Sequence, residues 1–113
     1  MDNCLFCKII AGDIPSTKVY EDEYVYAFRD IAPQAPVHVL VVPKEHICCA
    51  NMFDENNSIY AAKAFEAVAK VTKELGLDNG FRVVTNCGES AGQTVHHIHF
   101  HLLGGRDFTW PAG

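Results

Sequence analysis

The most apolar segment of the chain covers residues 37–42, in which His38 is the only polar residue. A strand that is apolar on both faces is typical of the centre of a covered sheet, so we predict a central strand here. Upstream, residues 19–21 and 25–29 are rich in β-branched and aromatic side chains and enclose the acidic residues Asp22 and Glu23. This pattern predicts a β-hairpin before the central strand.

Two helices are predicted. Residues 5–11 form a short apolar stretch that ends at a Gly-Asp turn, which indicates one or two helical turns. A longer helix is predicted to run to Leu75, with Gly76 as its stop and with Asp54 or Ser58 as its N-cap. Its apolar stripe recurs at helical spacing and consists of Ala61, Ala64, Phe65, Val68, Val71 and Leu75. We interpret this stripe as core packing rather than as a cofactor site.

Two more strands are predicted in the second half of the chain. Residues 81–86 follow an Asp-Asn-Gly turn, and residues 97–103 alternate between histidine and apolar residues as far as Leu102,. Hairpin, strand, helix and two strands in this order predict an antiparallel α+β fold. We expect a single domain over residues 1–113, because a chain of this length buries roughly two-thirds of its unfolded surface.

The last predicted strand carries His97, His99 and His101 at alternate positions. Side chains alternate across a strand, so the three imidazoles are expected on one face, about 6.5–7 Å apart, where one phosphate-sized group can lie across all of them. The opposite, core face would carry Ile98, Phe100 and Leu102. A single histidine on a strand is more often structural, but a buried row is costly to desolvate. The row therefore predicts a chemical site.

The loop before this strand, residues 87–94, contains two glycines and the hydroxyl residues Ser90 and Thr94. Glycines allow backbone N–H groups to approach an anion closely, and hydroxyls add hydrogen-bond donors. Many loops have this composition, so the loop predicts phosphate binding only in combination with the histidine row.

The charge of the chain restricts its partners. Nine Lys and Arg residues against fourteen Asp and Glu residues give a net charge of −5, which argues against binding of a nucleic-acid polymer through a basic face. A mononucleotide needs only a local pocket. No apolar run approaches the roughly 20 residues of a membrane helix, and no signal-like N-terminal segment is found. We expect a cytoplasmic protein with no membrane partner.

Five cysteines, with Cys48 and Cys49 adjacent, are a poor basis for a disulfide framework and indicate reduced thiols. Only Cys4 and Cys7, in a Cys-x-x-Cys spacing, form a motif that carries chemistry by itself. The spacing is compatible with half of a zinc site, with an unligated thiol pair or with a redox motif. The redox motif normally requires a βαβ unit, which is not predicted here.

With these residues described, the sequence resembles the histidine-triad (HIT) family, specifically its branch of small purine nucleotide-binding phosphoramidases. The family pattern His-φ-His-φ-His-φ-φ, with φ apolar, is met in full by residues 97–103. The resemblance covers nearly the whole chain. The other matching segments are Phe28-Arg29-Asp30-Ile31, Pro33-Gln34-Ala35-Pro36, His38, Pro43-Lys44, Asn86, Gly92-Gln93, Gly104-Gly105-Arg106 and Trp110-Pro111.

The resemblance implies a HIT-like fold, an antiparallel sheet of about five strands with one long helix and a short N-terminal helix. It also implies an enzyme without an organic cofactor that hydrolyses phosphoramidates of purine nucleoside monophosphates, such as those of AMP. His99 would attack the α-phosphorus to give a nucleotidyl-histidine intermediate that water cleaves. The carbonyl group of His97 would receive the proton of the other His99 ring nitrogen.

The same resemblance assigns roles to the other site residues. His101 would contact the phosphate and the leaving group, His97 and His38 would complete a four-histidine shell, and the Thr94 hydroxyl would contact the phosphate or the leaving nitrogen. Relatives often have serine at position 94. Asp30 would bind the ribose hydroxyls. The nucleotide-binding residues implied in this way are Leu5, Phe6, Ile9, Phe28, Asp30, Ile31, Asn86, Gly92, Thr94, His99 and His101, of which the apolar ones would enclose the base.

Some bacterial-type relatives carry the Cys-x-x-Cys pair with two histidine ligands. The resemblance thus implies a structural zinc ion bound by Cys4, Cys7, His46 and His97. His96 is a rival imidazole for this role.

The resemblance further implies a homodimer whose sheets pair. Residues 81–84 are expected near a sheet edge that needs cover. The C-terminal residues 107–111 include the only tryptophan, Trp110, and are expected to extend toward the partner's site. The alternative is that Trp110 packs on its own subunit.

Two other functions stay open. A His-x-His pair with a third histidine also describes a catalytic zinc site, although three histidines on one straight strand cannot all reach a single tetrahedral ion. The third interpretation is a nucleotide-binding or scaffolding module with little catalysis, because binding and catalysis would use the same residues.

Overall fold

The computed structural model describes residues 3–113. The elements are helix α1 (Leu5–Ala11), strands β1 (Lys18–Glu21), β2 (Val25–Arg29) and β3 (Val37–Pro43), helix α2 (Ser58–Glu74), and strands β4 (Phe81–Val84) and β5 (Phe100–Gly104), with short 3-10 turns at Ala50–Met52 and Glu89–Ala91. The strands form an antiparallel sheet in the order β1-β2-β3-β5-β4. The predicted α+β fold, with β3 at the centre, is confirmed.

The two faces of the sheet carry different hydrophobic clusters. Helix α2 covers one face, and its cluster contains Val25, Ala27, Val39, Val41, Ile47, Ala64, Ala67, Val68, Val71, Ile98, Phe100 and Leu102. Helix α1 covers part of the other face, where Phe6 and Ile9 pack with Phe28, Leu40 and Val42. A seven-residue helix is too short to be stable alone. Burial of its two large side chains, roughly 1.5–3 kcal/mol each, contributes to holding it on the sheet.

Helix α2 differs from its prediction in two respects. Its N-cap is Asn57, and Ser58 is the first helical residue. Asp54 lies outside the helix, where its carboxylate accepts the N–H of Asn56. Phe65 is 53% exposed, because it lies about 100° around the helix from Ala64, which points at the sheet. Within residues 3–113, neither helix is long and apolar enough to cross a membrane.

The last two strands are shorter than predicted. Strand β4 ends at Val84, and β5 begins at Phe100, so His97 and His99 precede the strand. The reason is that the segment before β5 bonds to a different partner: the N–H of Ile98 donates to the carbonyl of Ile47, 2.6 Å away, in the loop after β3. The apolar residues 98, 100 and 102 still face the α2 side, as the alternation predicts.

Candidate active site and metal cluster

The first part of the site is a pair of histidines on the two central strands. His38 on β3 is registered with Leu103, and His101 on β5 with Leu40, so the two histidines are diagonal neighbours on one face of the sheet. His38 Nε2 lies 2.9 Å from His101 Nδ1. The ring of His99 lies edge-on to that of His101, with centroids 4.9 Å apart. The fold thus brings three of the predicted histidines into contact.

Hydrogen bonds define which nitrogen of each imidazole carries the proton. The backbone N–H of Gln34 donates to His38 Nδ1 at 3.0 Å, so neutral His38 must carry its proton on Nε2. This proton is donated to His101 Nδ1, and the proton of neutral His101 therefore lies on Nε2. Asp30 Oδ2 is 3.4 Å from His38 Nε2 and is a second acceptor for the same proton.

His99 has the opposite arrangement. Its Nδ1–H donates to the backbone carbonyl of His97 at 2.8 Å, which leaves the lone pair of Nε2 free. The carbonyl of His99 accepts the Thr85 hydroxyl at 2.9 Å, and the ring of Phe6 packs against the imidazole with centroids 4.9 Å apart. Backbone and side-chain contacts together fix both the tautomer and the position of this ring.

Burial keeps these imidazoles neutral at physiological pH. It lowers the pKa of His38 and of His99, although the Asp30 carboxylate partly opposes the shift in both. The pKa of His101 falls to about 4, because burial acts first and the neighbouring His99 and His38 also oppose a positive charge. Neutral rings are the form that the hydrogen-bond assignments require.

His97 is fully buried, and both of its ring nitrogens have protein partners. Nε2 donates to the carbonyl of Pro43 at 2.8 Å, and Nδ1 faces the thiols of Cys4 and Cys7. A phosphate group therefore cannot lie across all three imidazoles of the row, although the simple strand alternation predicted that it could. His97 contributes its carbonyl to His99 and its side chain to a separate cluster.

This cluster consists of the four predicted metal ligands, Cys4, Cys7, His46 and His97. One ligand atom from each lies within 4.8 Å of the others. The sulfur–nitrogen distances are 3.3 Å for Cys7 and His46, 3.4 Å for Cys4 and His97, and 3.5 Å for Cys7 and His97. The rival His96 is exposed.

The geometry of the cluster fits a tetrahedral zinc ion. Zinc–ligand bonds of about 2.0–2.3 Å imply ligand separations of about 3.3–3.8 Å, and the three sulfur–nitrogen distances above fall in this range. His97 also donates its second ring N–H to a backbone carbonyl, which is the usual support for a metal-bound imidazole. In the absence of metal, burial and the adjacent Cys4 thiol raise the pKa of Cys7 to about 11. The four residues could therefore hold a zinc ion that displaces the thiol protons.

The apolar residues predicted to enclose a base differ in exposure. Phe6, Ile9 and Phe28 are buried beside the histidine site. Leu5 is 43% exposed, and Ile31 is fully exposed on the loop before β3. The side chains of the buried three are therefore largely withdrawn from solvent, and Leu5 and Ile31 are the ones available to a ligand.

The polar residues predicted to bind a nucleotide lie on two loops. Asp30 follows β2, and its Oδ1 accepts the N–H of Ala32 at 2.8 Å. Asn86, Gly92 and Thr94 lie between β4 and β5. Gly92 has a φ of 90°, a left-handed conformation that favours glycine. Thr94 is exposed, which leaves its hydroxyl accessible to a ligand.

Gln93 was not predicted as a site residue, yet its buried amide organises this loop. Its Nε2 donates to the carbonyls of Cys48 and Val95, and its Oε1 accepts the N–H of Gly88. The only sequence signal was its place in the Gly-Gln-Thr run before the triad. Gln34 and Thr85 were also missed, because one acts through its backbone and the other through the backbone of His99.

Comparison with known proteins identifies the family. The profile of the HIT domain matches residues 11–108, which is most of the chain and includes every histidine described above. This chain belongs to the HIT family. The match leaves Cys4 and Cys7 outside its limits, so the metal cluster combines residues inside and outside the matched region.

Similar proteins cover almost the whole chain. A "14 kDa zinc-binding protein" of Brassica juncea is 47% identical over 111 residues, which are 96% of this chain and 98% of the relative. The structure of a "HIT family hydrolase" from Clostridium thermocellum is 50% identical, with a TM-score of 0.97 and coverage of 99% and 98%. A "histidine triad nucleotide-binding protein" from Candida albicans has 39% identity, a TM-score of 0.83, and coverage of 98% and 85%. The predicted HIT-like fold is confirmed.

Proposed function

We propose that this HIT-family protein is a hydrolase that splits the P–N bond of phosphoramidates of purine nucleoside monophosphates. The observation that carries the proposal is the tautomer of His99, whose Nδ1–H donates to the His97 carbonyl and whose Nε2 lone pair is therefore available to attack phosphorus,. The names of the Clostridium thermocellum and Candida albicans relatives, a hydrolase and a nucleotide-binding protein, support the same class of reaction.

In the first step, His99 Nε2 attacks the α-phosphorus and forms a new P–N bond to the imidazole. The positive charge that develops on the ring is stabilised at Nδ1–H by the His97 carbonyl,. The nitrogen of the bound phosphoramidate is protonated, so the leaving group departs as a neutral amine when its bond to phosphorus breaks, and His101 Nε2–H donates a hydrogen bond that orients it. His38 fixes this orientation of His101, because its Nε2–H is directed at His101 Nδ1.

In the second step, water attacks the nucleotidyl-histidine. The oxygen of the water molecule forms a bond to phosphorus, the bond between phosphorus and His99 Nε2 breaks, and one proton of the water molecule is released to solvent. The products are the nucleoside monophosphate and the enzyme in its starting protonation state. Thr94 and the backbone around Gly92 contact the phosphate oxygens in both steps.

The nucleoside would lie next to these histidines. Phe6, Ile9 and Phe28 offer apolar contact to a purine, and Leu5 and Ile31 add exposed apolar side chains. Asp30 keeps unused lone pairs on its half-buried carboxylate and would accept hydrogen bonds from the ribose hydroxyls. Asn86 would lie near the ribose and phosphate. In this arrangement, one set of residues recognises the base and a different set acts at the reacting phosphorus.

We also propose that Cys4, Cys7, His46 and His97 bind a structural zinc ion, as the name of the Brassica juncea relative suggests. A closed tetrahedral site of this kind supplies folding energy and no open coordination position for a substrate. Its effect on the reaction is indirect, because the His97 backbone that positions His99 belongs to a metal ligand.

The proposal is tested by turnover of adenosine 5′-phosphoramidate and by trapping of the intermediate. The wild type should release AMP and ammonia, and mass analysis after rapid quenching in alkaline denaturant, which preserves the acid-labile P–N bond, should detect adenylylated His99. His99→Asn should bind AMP but lose turnover by a factor of 10³ or more, on the order expected for a missing nucleophile. His96→Ala, which removes an exposed neighbouring imidazole, is the matched control and should retain full activity. Turnover by His99→Asn at the wild-type rate would disprove the mechanism.

A zinc-dependent hydrolase is the second candidate, because Asp30, His38 and His101 also place one ligand atom each within 4.8 Å of one another. The hydrogen bonds among these residues satisfy them without a metal. The two candidates are separated by adding one equivalent of zinc, enough for the cysteine cluster alone, to chelated protein. Full turnover under this condition supports attack by His99, and turnover that requires a second equivalent of zinc supports a catalytic metal. Binding of AMP with no turnover of any phosphoramidate would instead indicate a nucleotide-binding or scaffolding module.

A further inference from the structure

The Cys-x-x-Cys motif begins helix α1 and faces two histidines. Cys4 is the N-cap of the helix, and Cys7 is its third residue. The Cys4 sulfur accepts the N–H of Cys7 at 3.3 Å, so both sulfurs lie on the same side of the first helical turn. One ligand atom from each member of the cluster of Cys4, Cys7, His46 and His97 lies within 4.8 Å of the others. The two sulfurs are therefore no more than 4.8 Å apart.

The members of this cluster differ in exposure. Cys4, Cys7 and His46 are half-buried. His97 is fully buried, and its second ring nitrogen is occupied by the carbonyl of Pro43. A small oxidant in solution can therefore reach the cluster from the side of the cysteines.

We propose that Cys4 and Cys7 form a redox switch, in which hydrogen peroxide oxidises the two zinc-bound thiolates to a disulfide and the zinc ion is released. This inference rests on the structural zinc site proposed above. One sulfur attacks an oxygen of the peroxide, the O–O bond breaks and hydroxide leaves, which gives a sulfenic acid. The other sulfur then attacks the first, the S–O bond breaks, and a second hydroxide leaves. Two protons from solvent convert both hydroxides to water, so the two electrons lost by the sulfurs reduce one molecule of peroxide.

The backbone of this motif allows the disulfide to form. A sulfur–sulfur bond is about 2.05 Å long, so the two sulfurs must approach each other by less than about 3 Å. Cys4 precedes the helix, and its ψ of 115° lies outside the helical region,. A shift at this one residue can therefore close the bond while the rest of α1 keeps its hydrogen bonds.

Formation of the disulfide would remove the ligands that select zinc. Thiolates are the soft ligands of such a site, and the two imidazoles of His46 and His97 alone leave half of a tetrahedral coordination sphere empty. Helix α1 would then lose its link through the metal to the sheet. The helix carries Phe6, which packs against His99, and the His97 carbonyl accepts Nδ1–H of His99. The switch is thus connected to the histidine site at two points.

The test uses full-length protein that is purified without a metal-affinity tag and loaded with zinc, and its zinc content is measured first. Peroxide is added in the presence of a chromogenic zinc indicator, and the remaining thiols are alkylated in denaturant with a chelator. Cys4 and Cys7 fall in one tryptic peptide, residues 1–8. Their disulfide therefore gives an unalkylated peptide that is lighter by two hydrogen atoms and accepts two alkyl groups after reduction. We expect release of about one zinc ion per chain in step with this peptide.

The outcomes separate the switch from the zinc site itself. Protein that binds no zinc before oxidation would overturn both. Zinc that stays bound in peroxide would overturn the switch alone. The same holds for zinc that is released while Cys4 and Cys7 form only sulfinic acids, sulfonic acids or intermolecular disulfides. If the switch is correct, a thiol reductant and one equivalent of zinc should restore the metal content, because the disulfide is a reversible product.

The matched control is the Cys48→Ser, Cys87→Ser double variant. Both positions are half-buried, like those of the proposed switch, but they lie outside the metal cluster. This variant should bind zinc and release it in peroxide at the wild-type rate. If it instead retained its zinc in peroxide, the release in the wild type would depend on these other thiols, and the assignment to Cys4 and Cys7 would be overturned.

Discussion

At the scale of single residues, His97 connects the two parts of the site. Its side chain is held between the Pro43 carbonyl and the cysteine thiols, and its own carbonyl accepts Nδ1–H of His99. A ring that is fixed at both nitrogens also fixes its backbone, and hence the orientation of the neighbouring imidazole. The position of the proposed nucleophile thus depends on a residue whose imidazole does not contact the substrate.

Asp30 provides a prediction about sugar recognition. Asp30→Asn keeps an oxygen that can accept the N–H of Ala32 but removes the negative charge that would strengthen hydrogen bonds from the ribose hydroxyls. We expect the variant to bind AMP about tenfold more weakly, as for loss of a charge-assisted hydrogen bond of about 1.5 kcal/mol. Its affinity for dideoxy-AMP should change much less. Calorimetry with the two ligands measures both values, and equal affinity of the wild type for them would contradict the assigned role.

His101 provides a prediction about the pH dependence of stability. The pKa of its imidazole is about 4 in the folded protein, whereas the unfolded chain titrates near the ordinary value of 6.5. Between these values the unfolded state binds more protons, so the folded state loses stability as the pH falls from 7 toward 4. From pH 7 to pH 5 the wild type should lose about 2 kcal/mol more than His101→Asn.

Urea unfolding of both proteins at the two pH values, with the same excess of zinc, measures this difference. Loss of zinc at low pH affects the two proteins alike and therefore cancels. Parallel pH profiles would mean that His101 titrates normally in the folded state.

The sequence shows the histidine row directly, because alternation with apolar residues is visible in the motif itself. It does not show the proton positions. The positions of the protons on His38 and His101 depend on the N–H of Gln34, which lies in a proline-containing loop about sixty residues before the triad,. The position of the proton on His99 depends on a backbone carbonyl that any residue at position 97 would provide. Such contacts carry no signal in side-chain identity, so only the folded chain reveals them.

At the scale of elements, α1 is the part of the fold that depends most on the metal cluster. Cys4 caps this seven-residue helix, its sulfur accepting the N–H of Cys7, and both cysteines face histidines on the sheet side of the molecule. The helix also supplies Phe6, which packs against His99. A zinc ion here would join α1 to the loop after β3 and to the segment before β5.

Metal removal should therefore loosen α1 before the sheet. We predict about one zinc ion per chain in protein purified without a metal-affinity tag, and no zinc in the Cys4→Ser, Cys7→Ser double variant. Hydrogen exchange should accelerate by at least about tenfold in residues 5–11 after chelation, while β3 and β5 stay protected. Cys48→Ser is the matched control and should retain zinc. Metal-free wild type after growth with zinc and purification under reducing conditions would reject the site.

The elements also show where periodicity is informative. The stripe of α2 correctly placed Ala64, Val68 and Val71 in the core, because 3.6-residue spacing determines which side chains share a face. It failed for Phe65, since hydrophobicity alone does not separate the centre of a stripe from its border. The strand prediction for residues 97–99 failed because the partner of that segment is a loop distant in sequence.

At the scale of the whole molecule, exposed aromatic residues gather near the end of the sheet formed by β4. Phe81 on this edge strand is 43% exposed, and Trp110 is 85% exposed. Phe108 packs against the guanidinium groups of Arg82 and Arg106, at 5.0 and 4.3 Å from its ring centroid. An uncovered edge strand with exposed aromatic residues is a common position for subunit pairing.

We therefore predict a homodimer that uses the β4 edge and the C-terminal residues 107–111. Sedimentation at micromolar concentration should give twice the chain mass of 12.5 kDa. Phe81→Glu should shift the protein toward the monomer, because it places a charge at the paired edge. Met52→Glu adds the same charge to an exposed position in the turn after β3, outside the paired edge, and should leave the dimer intact. Trp110 is the only tryptophan, so its emission reports the interface without a label. On dilution it should move to longer wavelength as the tail loses its partner and becomes solvated. A wild type that sediments as a monomer at all micromolar concentrations, with constant Trp110 emission, would show instead that the tail packs on its own subunit.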